Sequence, residues 1–511
     1  AAASEKRYVP RGEHPHPQFE RPAERWRSLN GWWTCAFVPC PYDPRESAED
    51  VCAAAAIPDS AAFATPILVP FSPEAPLSGV NRQLQPNELL WYRRTFAAPA
   101  LEPGERCLLH FEAVDDSCAV FVNGELVGTH QGGYLPFAFD IAEALARGCG
   151  GIATLAVCVA DPSDAGVQLR GKQVLHPGSI WYTAQSGIWQ PVWLETVPAA
   201  HIERIALDPD ARAKTLTVTA HTAGEGTLSA CVSLAGKPQV SGEILAEDGV
   251  AVLTLALDEL ALWSPEHPTL YDLALSFGEA ADSPAVSPAD SLSGSSSDSP
   301  SDSPACSPTA ADGRAAAPDV VSSSFAFRTV EVAPVTDADG VTRTRFLLNG
   351  EPLFLRGILN QGYWPDGLMT APADDAFAAD IRACLDAGFS MMRLHIKVEA
   401  DRFYHLCDRL GMLVWQDMVS GGQPEKPLRA MVLPTLFERS WWHFSDEVPT
   451  HWISLGSANA RYRQLWRDHA VSCVQQLANH PCVVTWVLFN EGWGQFASAS
   501  AAALVRSTDA S

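Results

Sequence analysis

No run of lysines and arginines occurs in the 511 residues, and 35 Lys plus Arg stand against 60 Asp plus Glu, a net charge of −25. A phosphate backbone requires a basic stripe to displace its counterions, so nucleic acid is not expected as a partner. No apolar stretch approaches the roughly 18 residues of a membrane-spanning helix, so no membrane partner is expected either. CxxC pairs are also missing. The 13 cysteines include an odd one, and many lie in apolar segments such as LAVCVA around Cys158 and HPCVV around Cys482. The closest pair, Cys35 and Cys40, has no His or Cys partner at zinc-site spacing. The cysteines therefore read as buried free thiols, not as a disulfide framework or a structural zinc centre. The first residues, AAASEKRYVPRG, show no basic region followed by an apolar one, so the expected location is cytoplasmic. They also lack an initiator Met, and the final RSTDAS has no terminating feature, as in a processed or clipped chain.

What is present suits about three domains at this length. From residue 26 to 198 short strands alternate with turns: WYRRTF (Trp91–Phe96), CLLHFEAV (Cys107–Val114) and CAVFV (Cys118–Val122). Asn123-Gly124 between AVFV and ELVGTH is a two-residue hairpin signal, because a type I′ turn needs positive φ at both central positions. Residues 1–200 thus read as an all-β, jelly-roll-like sandwich. Residues 201–334 read as an Ig-like β-sandwich, with strands such as TLTVTAHT (Thr215–Thr222) and AVLTLAL (Ala251–Leu257). A Ser/Pro/Asp/Ala stretch at about 279–318 is too polar to offset its chain entropy by burial and reads as a disordered insertion, or alternatively as an interdomain linker.

After residue 334 the rhythm becomes β/α. FLLNGEPLFLRGI (Phe346–Ile358) predicts a hairpin and then a buried strand, followed by an amphipathic helix with Phe377, Ile381, Cys384 and Leu385 on one face and Gly388 as its stop. Strand FSMMRLHI, helix ADRFYHLCDRLG, strand MLVWQDM, a helix near 460–479 and strand VVTWVLFN (Val483–Asn490) follow. Continuous apolar strands alternating with helices predict a parallel sheet, here the first half of a (β/α)₈ TIM barrel. A full barrel takes about 250 residues, more than 335–511 supplies. Strands five to eight are expected to be missing and the chain to be a fragment.

Barrel enzymes place reacting groups at the C-terminal ends of the strands. Those ends carry Arg393 and His395, Asp417, and Asn490 with Glu491. Glu491 precedes the turn Gly492-Trp493-Gly494. An apolar rim would raise its pKa as a general acid requires; alternatively it is a strand-end carboxylate paired with a nearby Arg. Asp417 reads as a substrate contact or a structural hydrogen-bond acceptor at the rim. Arg393 and His395 read as binders of a carboxylate or of sugar hydroxyls, or as a rim ion pair. Trp493, on the loop beside Glu491, reads as a stacking platform for a sugar or as core.

Several segments resemble glycoside hydrolase family 2, the β-galactosidase, β-glucuronidase and β-mannosidase group. They include ILVPFSPEAPLSGV (Ile67–Val80), FVNGELVGTHQGGYLPFAFDI (Phe121–Ile141), SGIWQPVWLE (Ser186–Glu195), RFYHLCDRLGMLVWQDM (Arg402–Met418) and, most specific, VLFNEGWGQ (Val487–Gln495). The resemblance implies an exo-acting retaining β-glycosidase with a carbohydrate substrate. It makes Glu491 the acid/base, and it has Asn490 hydrogen-bond the sugar 2-hydroxyl. The family's nucleophilic Glu lies at the end of strand seven, which these residues do not reach, so the chain as written is expected to be inactive. No organic cofactor is implied; a divalent ion occurs at the rim in some relatives, and no residue here specifies one. A homo-oligomer is left open. The competing expectation is a non-catalytic carbohydrate-binding protein with a degenerate barrel.

Overall fold

The computed structural model describes residues 9–43, 48–148, 150–279, 317–424, 426, 428, 432–437 and 444–509. Between Trp26 and Val197 a four-stranded and a six-stranded antiparallel sheet face each other. Their facing sides bury one core of aliphatic and aromatic side chains, including Trp33, Tyr92 and Phe111. Asn123 and Gly124 join Ser117–Val122 to Glu125–Gln131 with φ of 54° and 87°, the conformation that the Asn-Gly pair predicts.

A second sandwich packs the three-stranded sheet His201–Asp210, Thr215–Ala223, Val250–Ala256 against a four-stranded one. Strict alternation along Thr215–Ala223 turns Leu216, Val218 and Ala220 inward. Tyr271–Gly278 pairs antiparallel with Asp319–Phe325. Of the polar insertion expected at 279–318, residues 280–316 lie outside the described residues.

The last part of the chain holds four parallel strands in the order β1 (Gly357–Asn360), β2 (Met391–Leu394), β3 (Leu413–Asp417), β4 (Val483–Val487). Helix α1 (Asp374–Asp386) follows β1, α2 (Asp401–Leu410) follows β2, α3 (Ala460–Leu477) precedes β4 and α4 (Ser498–Thr508) comes after it. Asn459 caps α3, its side chain accepting from the N–H groups of Arg461 and Tyr462. Helix α2 buries Phe403, Tyr404 and Cys407 and ends at Gly411 in the left-handed region. A Cβ on Gly411 would lie 2.2 Å from the Pro265 carbonyl oxygen, so this glycine also lets the second sandwich approach the helix.

Among the described residues β1 pairs with β2 alone, and Leu359 is 48% exposed. One boundary differs from expectation. β4 ends at Val487 and not at Asn490. Residues 488–490 leave the ladder, and Phe489 stacks on Trp466 with ring centroids 4.6 Å apart.

The segment from Arg11 to Arg21 staples the domains together. Arg21 pairs with Glu195 of the first sandwich at 2.9 Å and with Asp319 of the second at 2.8 Å. His16 pairs with Glu112 at 2.7 Å. Arg11 reaches Asp374 of α1 at 2.8 Å.

Candidate active site

The ends of β2, β3 and β4 converge through one guanidinium. Arg393 donates from Nε to Asp417 Oδ1 at 2.8 Å and from Nη2 to Oδ2 at 2.9 Å, and Nη2 also reaches Asn490 Oδ1 at 2.9 Å. The Ile396 N–H adds a contact to Asp417 Oδ2 at 3.3 Å. Asp417 is buried, and the planar fork of Arg393 satisfies both of its oxygens. Asp417 is thus the hydrogen-bond acceptor at the rim that was its second reading, the ion pair expected of Arg393 and His395 is made by Arg393 with Asp417, and Arg393 also orients Asn490.

His395 is buried, with its main-chain N–H donated to the Asn360 carbonyl at 3.0 Å. Its Nδ1 stands 3.6 Å from Asp417 Oδ2, beyond hydrogen-bond length. Neither ring nitrogen has a partner among the described residues. A buried imidazole with free nitrogens at a strand end can donate to or accept from a polyol.

Glu491 occupies the left-handed region, φ 53°, uncommon for a side chain other than Gly or Asn and a sign of local strain. Among the described residues it is exposed, and none of them hydrogen-bonds to its carboxylate or pairs with it within 4 Å. The turn after it is seated firmly: Gly494 donates to the Leu455 carbonyl at 2.7 Å, and Tyr462 donates its hydroxyl hydrogen to the Gly494 carbonyl at 3.0 Å. Trp493 is 8% exposed, with the Arg170 guanidinium 5.2 Å from its ring and the edge of Trp181 5.2 Å away. Little of its surface is left for a sugar, so its packing follows the core reading.

A loop of the first sandwich closes the other side. Leu169 bridges to Gly421 beyond β3, and Arg170 and Gly171 both donate to the Ser420 carbonyl, at 3.1 and 3.0 Å. Arg170 Nη1 reaches the Gly422 carbonyl at 2.7 Å. Further along the loop, Tyr182 stacks on Tyr363, centroids 4.0 Å apart. Between these anchors a small recess is lined by Lys172, Gln361, Tyr363, His395 and Lys397.

Models of the glycosyl hydrolases family 2 match consecutive stretches: the sugar binding domain at residues 26–198, the central family 2 domain at 200–285 and the TIM barrel domain at 340–511. The chain belongs to glycoside hydrolase family 2. Similar proteins include a β-galactosidase of Thermoanaerobacter pseudethanolicus, 24% identical over 78% of this chain and 44% of the relative. A putative β-glucuronidase of Formosa agariphila is 23% identical over 78% of this chain and 39% of its own. The chain thus spans less than half the length of these two curated relatives. The crystal structure of a Parabacteroides merdae β-glucuronidase superposes with a TM-score of 0.63 at 17% identity, covering 94% of this chain and 54% of that one. That likeness is one of fold.

Within this family 2 chain the structure brings together Arg393, Asp417 and Asn490 by direct hydrogen bonds. His395 stands beside them, and Glu491 and Trp493 lie on the adjoining turn. Sequence reasoning missed Lys172, Trp181 and Tyr182. They come from a strand-poor stretch of the sandwich, and the one visible signal was its density of aromatic and Gly residues, GKQVLHPGSIWYT.

Proposed function

We propose that the chain carries the acid/base half of the catalytic centre of an exo-acting retaining β-glycosidase. The observation that carries the reading is the position of Asn490-Glu491 just past the fourth parallel strand, with Asn490 held by Arg393. In the first step a carboxylate attacks the anomeric carbon while the glycosidic C–O bond breaks, and Glu491 gives its proton to the departing oxygen. In the second, Glu491 takes a proton from water as the water oxygen displaces that carboxylate and frees the sugar. Asn490 hydrogen-bonds the 2-hydroxyl, a contact that strengthens as charge develops at the ring. His395, with Asp417 and Arg393 behind it, contacts hydroxyls of the sugar.

We assign the nucleophile to a later strand of the barrel, outside the 511 residues. Relatives named for galactosides and for glucuronides match equally well, so the similarity leaves the glycone open. The test is Glu491→Gln in the whole protein, assayed on β-glycosides with poor and good leaving groups. We expect kcat/KM on the poor leaving group to fall roughly 100- to 10,000-fold, with azide partly restoring turnover of the good one. Unchanged turnover of both would overturn the reading.

A further inference from the structure

The recess that His395 lines has one wall that the barrel does not supply. Gly171 sits at φ 57° against the strand end, and a Cβ there would stand 2.9 Å from the Ile396 carbonyl oxygen and 3.1 Å from the Tyr134 hydroxyl. Only a glycine lets the chain pass so close, and it delivers the next residue, Lys172, onto the recess. The Lys172 main chain is fixed from the other side, its carbonyl accepting from the Tyr182 N–H at 2.9 Å. Gln173 is anchored beneath by hydrogen bonds to Asp115 and to the Tyr134 hydroxyl, at 2.9 and 3.0 Å. The backbone that carries Lys172 is thus held at three successive residues.

Lysine is scarce in this acidic chain, six in all, yet two of the six line this recess. Lys397 is already engaged, donating to the Gly362 and Met369 carbonyls at 2.7 and 2.8 Å and pairing with Glu399 at 2.6 Å. The Lys172 ammonium donates to no described residue. Partial burial lowers its pKa, and the Glu491 carboxylate is the charge that opposes this.

The Lys172 ammonium, on the wall of a recess that His395 also lines, is matched by an anion brought in from outside. A substrate bearing a carboxylate or sulfate supplies that anion. We propose that Lys172 is a substrate-binding residue lent by the sandwich to the barrel, and that it selects β-glycosides carrying an anionic group. The proposal rests on the hydrolase reading above and adds to it the charge class of the substrate.

Three 4-nitrophenol-type substrates decide it: a neutral hexoside, the uronide of the same configuration, and the hexoside of a carboxylated nitrophenol. With the whole protein, Lys172→Met should lower kcat/KM on one of the two anionic substrates by roughly 10- to 100-fold, the weight of a charged hydrogen bond. The hexoside should change by no more than about twofold, and Lys172→Arg should restore most of the loss. Loss on the uronide places the anion on the sugar; loss on the carboxylated phenol places it on the leaving group. Equal loss on all three substrates, or no loss on either anionic one, overturns the proposal. If the wild type hydrolyses none of them the hydrolase reading fails. Calorimetric titration of the same three then decides on Lys172: weaker binding of an anionic ligand by Lys172→Met supports it, and unchanged binding overturns it.

Discussion

Arg393 grips Asp417 by both carboxylate oxygens, at 2.8 and 2.9 Å, across two neighbouring parallel strands. The same guanidinium reaches Asn490, so the pair fixes the residue that precedes Glu491. Asp417→Asn keeps the shape and removes one acceptor. A hydrogen bond to a charged group is worth about 1.5–3 kcal/mol, and a loss of stability of that order is expected in urea unfolding. Turnover should fall as well, since Arg393, which orients Asn490, loses part of its own anchor. A variant of unchanged stability and turnover would show that the pair holds nothing in place.

His480 is fully buried between Asp408, at 2.6 Å, and Asp401, at 3.0 Å. Burial alone would depress its pKa, and the two carboxylates more than reverse that, raising it to about 10. Replacing it by Ala leaves Asp408 buried without its cation and Asp401 facing the His16 ring at 3.8 Å. The expected cost is about 3–5 kcal/mol, read as a lower urea midpoint, with His480→Gln recovering only part of it.

Six carboxylates lie buried in the first sandwich, and in four of them, Glu74, Asp115, Asp116 and Asp161, burial raises the pKa. Burial pushes Glu74 up to about 8 and Asp116 up to about 7. A carboxyl whose folded pKa exceeds its unfolded value binds its proton more tightly when folded. Its contribution is complete below the unfolded value near 4 and is lost as pH rises through 7 and 8. The raised pKa of His480 acts in the same direction, its share being complete below about 6.5 and lost as pH rises through 10. The midpoint of thermal unfolding should therefore fall steadily from pH 6 to pH 9. Glu74→Gln should flatten that slope, and a midpoint that rose with pH would contradict this assignment.

Gly171→Ala places a methyl group 2.9 Å from the Ile396 carbonyl oxygen at a positive φ. Strain of this kind costs about 1–3 kcal/mol, and the same loss is expected in unfolding free energy. Substitution at Gly124, also at positive φ but with open space around it, should cost only the backbone term.

The order of the three domains and the four parallel strands was legible because continuous apolar runs such as MLVWQDM and VVTWVLFN leave little choice but buried parallel strands. Strand-end polar residues then marked Arg393, Asp417 and Asn490, and these do meet. Trp493 could not be placed, because its neighbours Arg170 and Trp181 lie over 300 residues earlier in the chain. Lys172 was missed for the same reason: its place on the recess depends on a contact between domains, and no periodicity records that.

The main-chain bonds from Arg170 and Gly171 to Ser420, with the staple from Arg11 to Arg21, have a consequence for engineering. The recess is shared property of sandwich and barrel, so the two travel as one cassette. A chimera that joined this barrel to another relative's sandwich at the boundary near residue 200 would exchange the Lys172 wall along with the linker. Shuffling for new selectivity should therefore move the 168–183 loop together with residues 418–423.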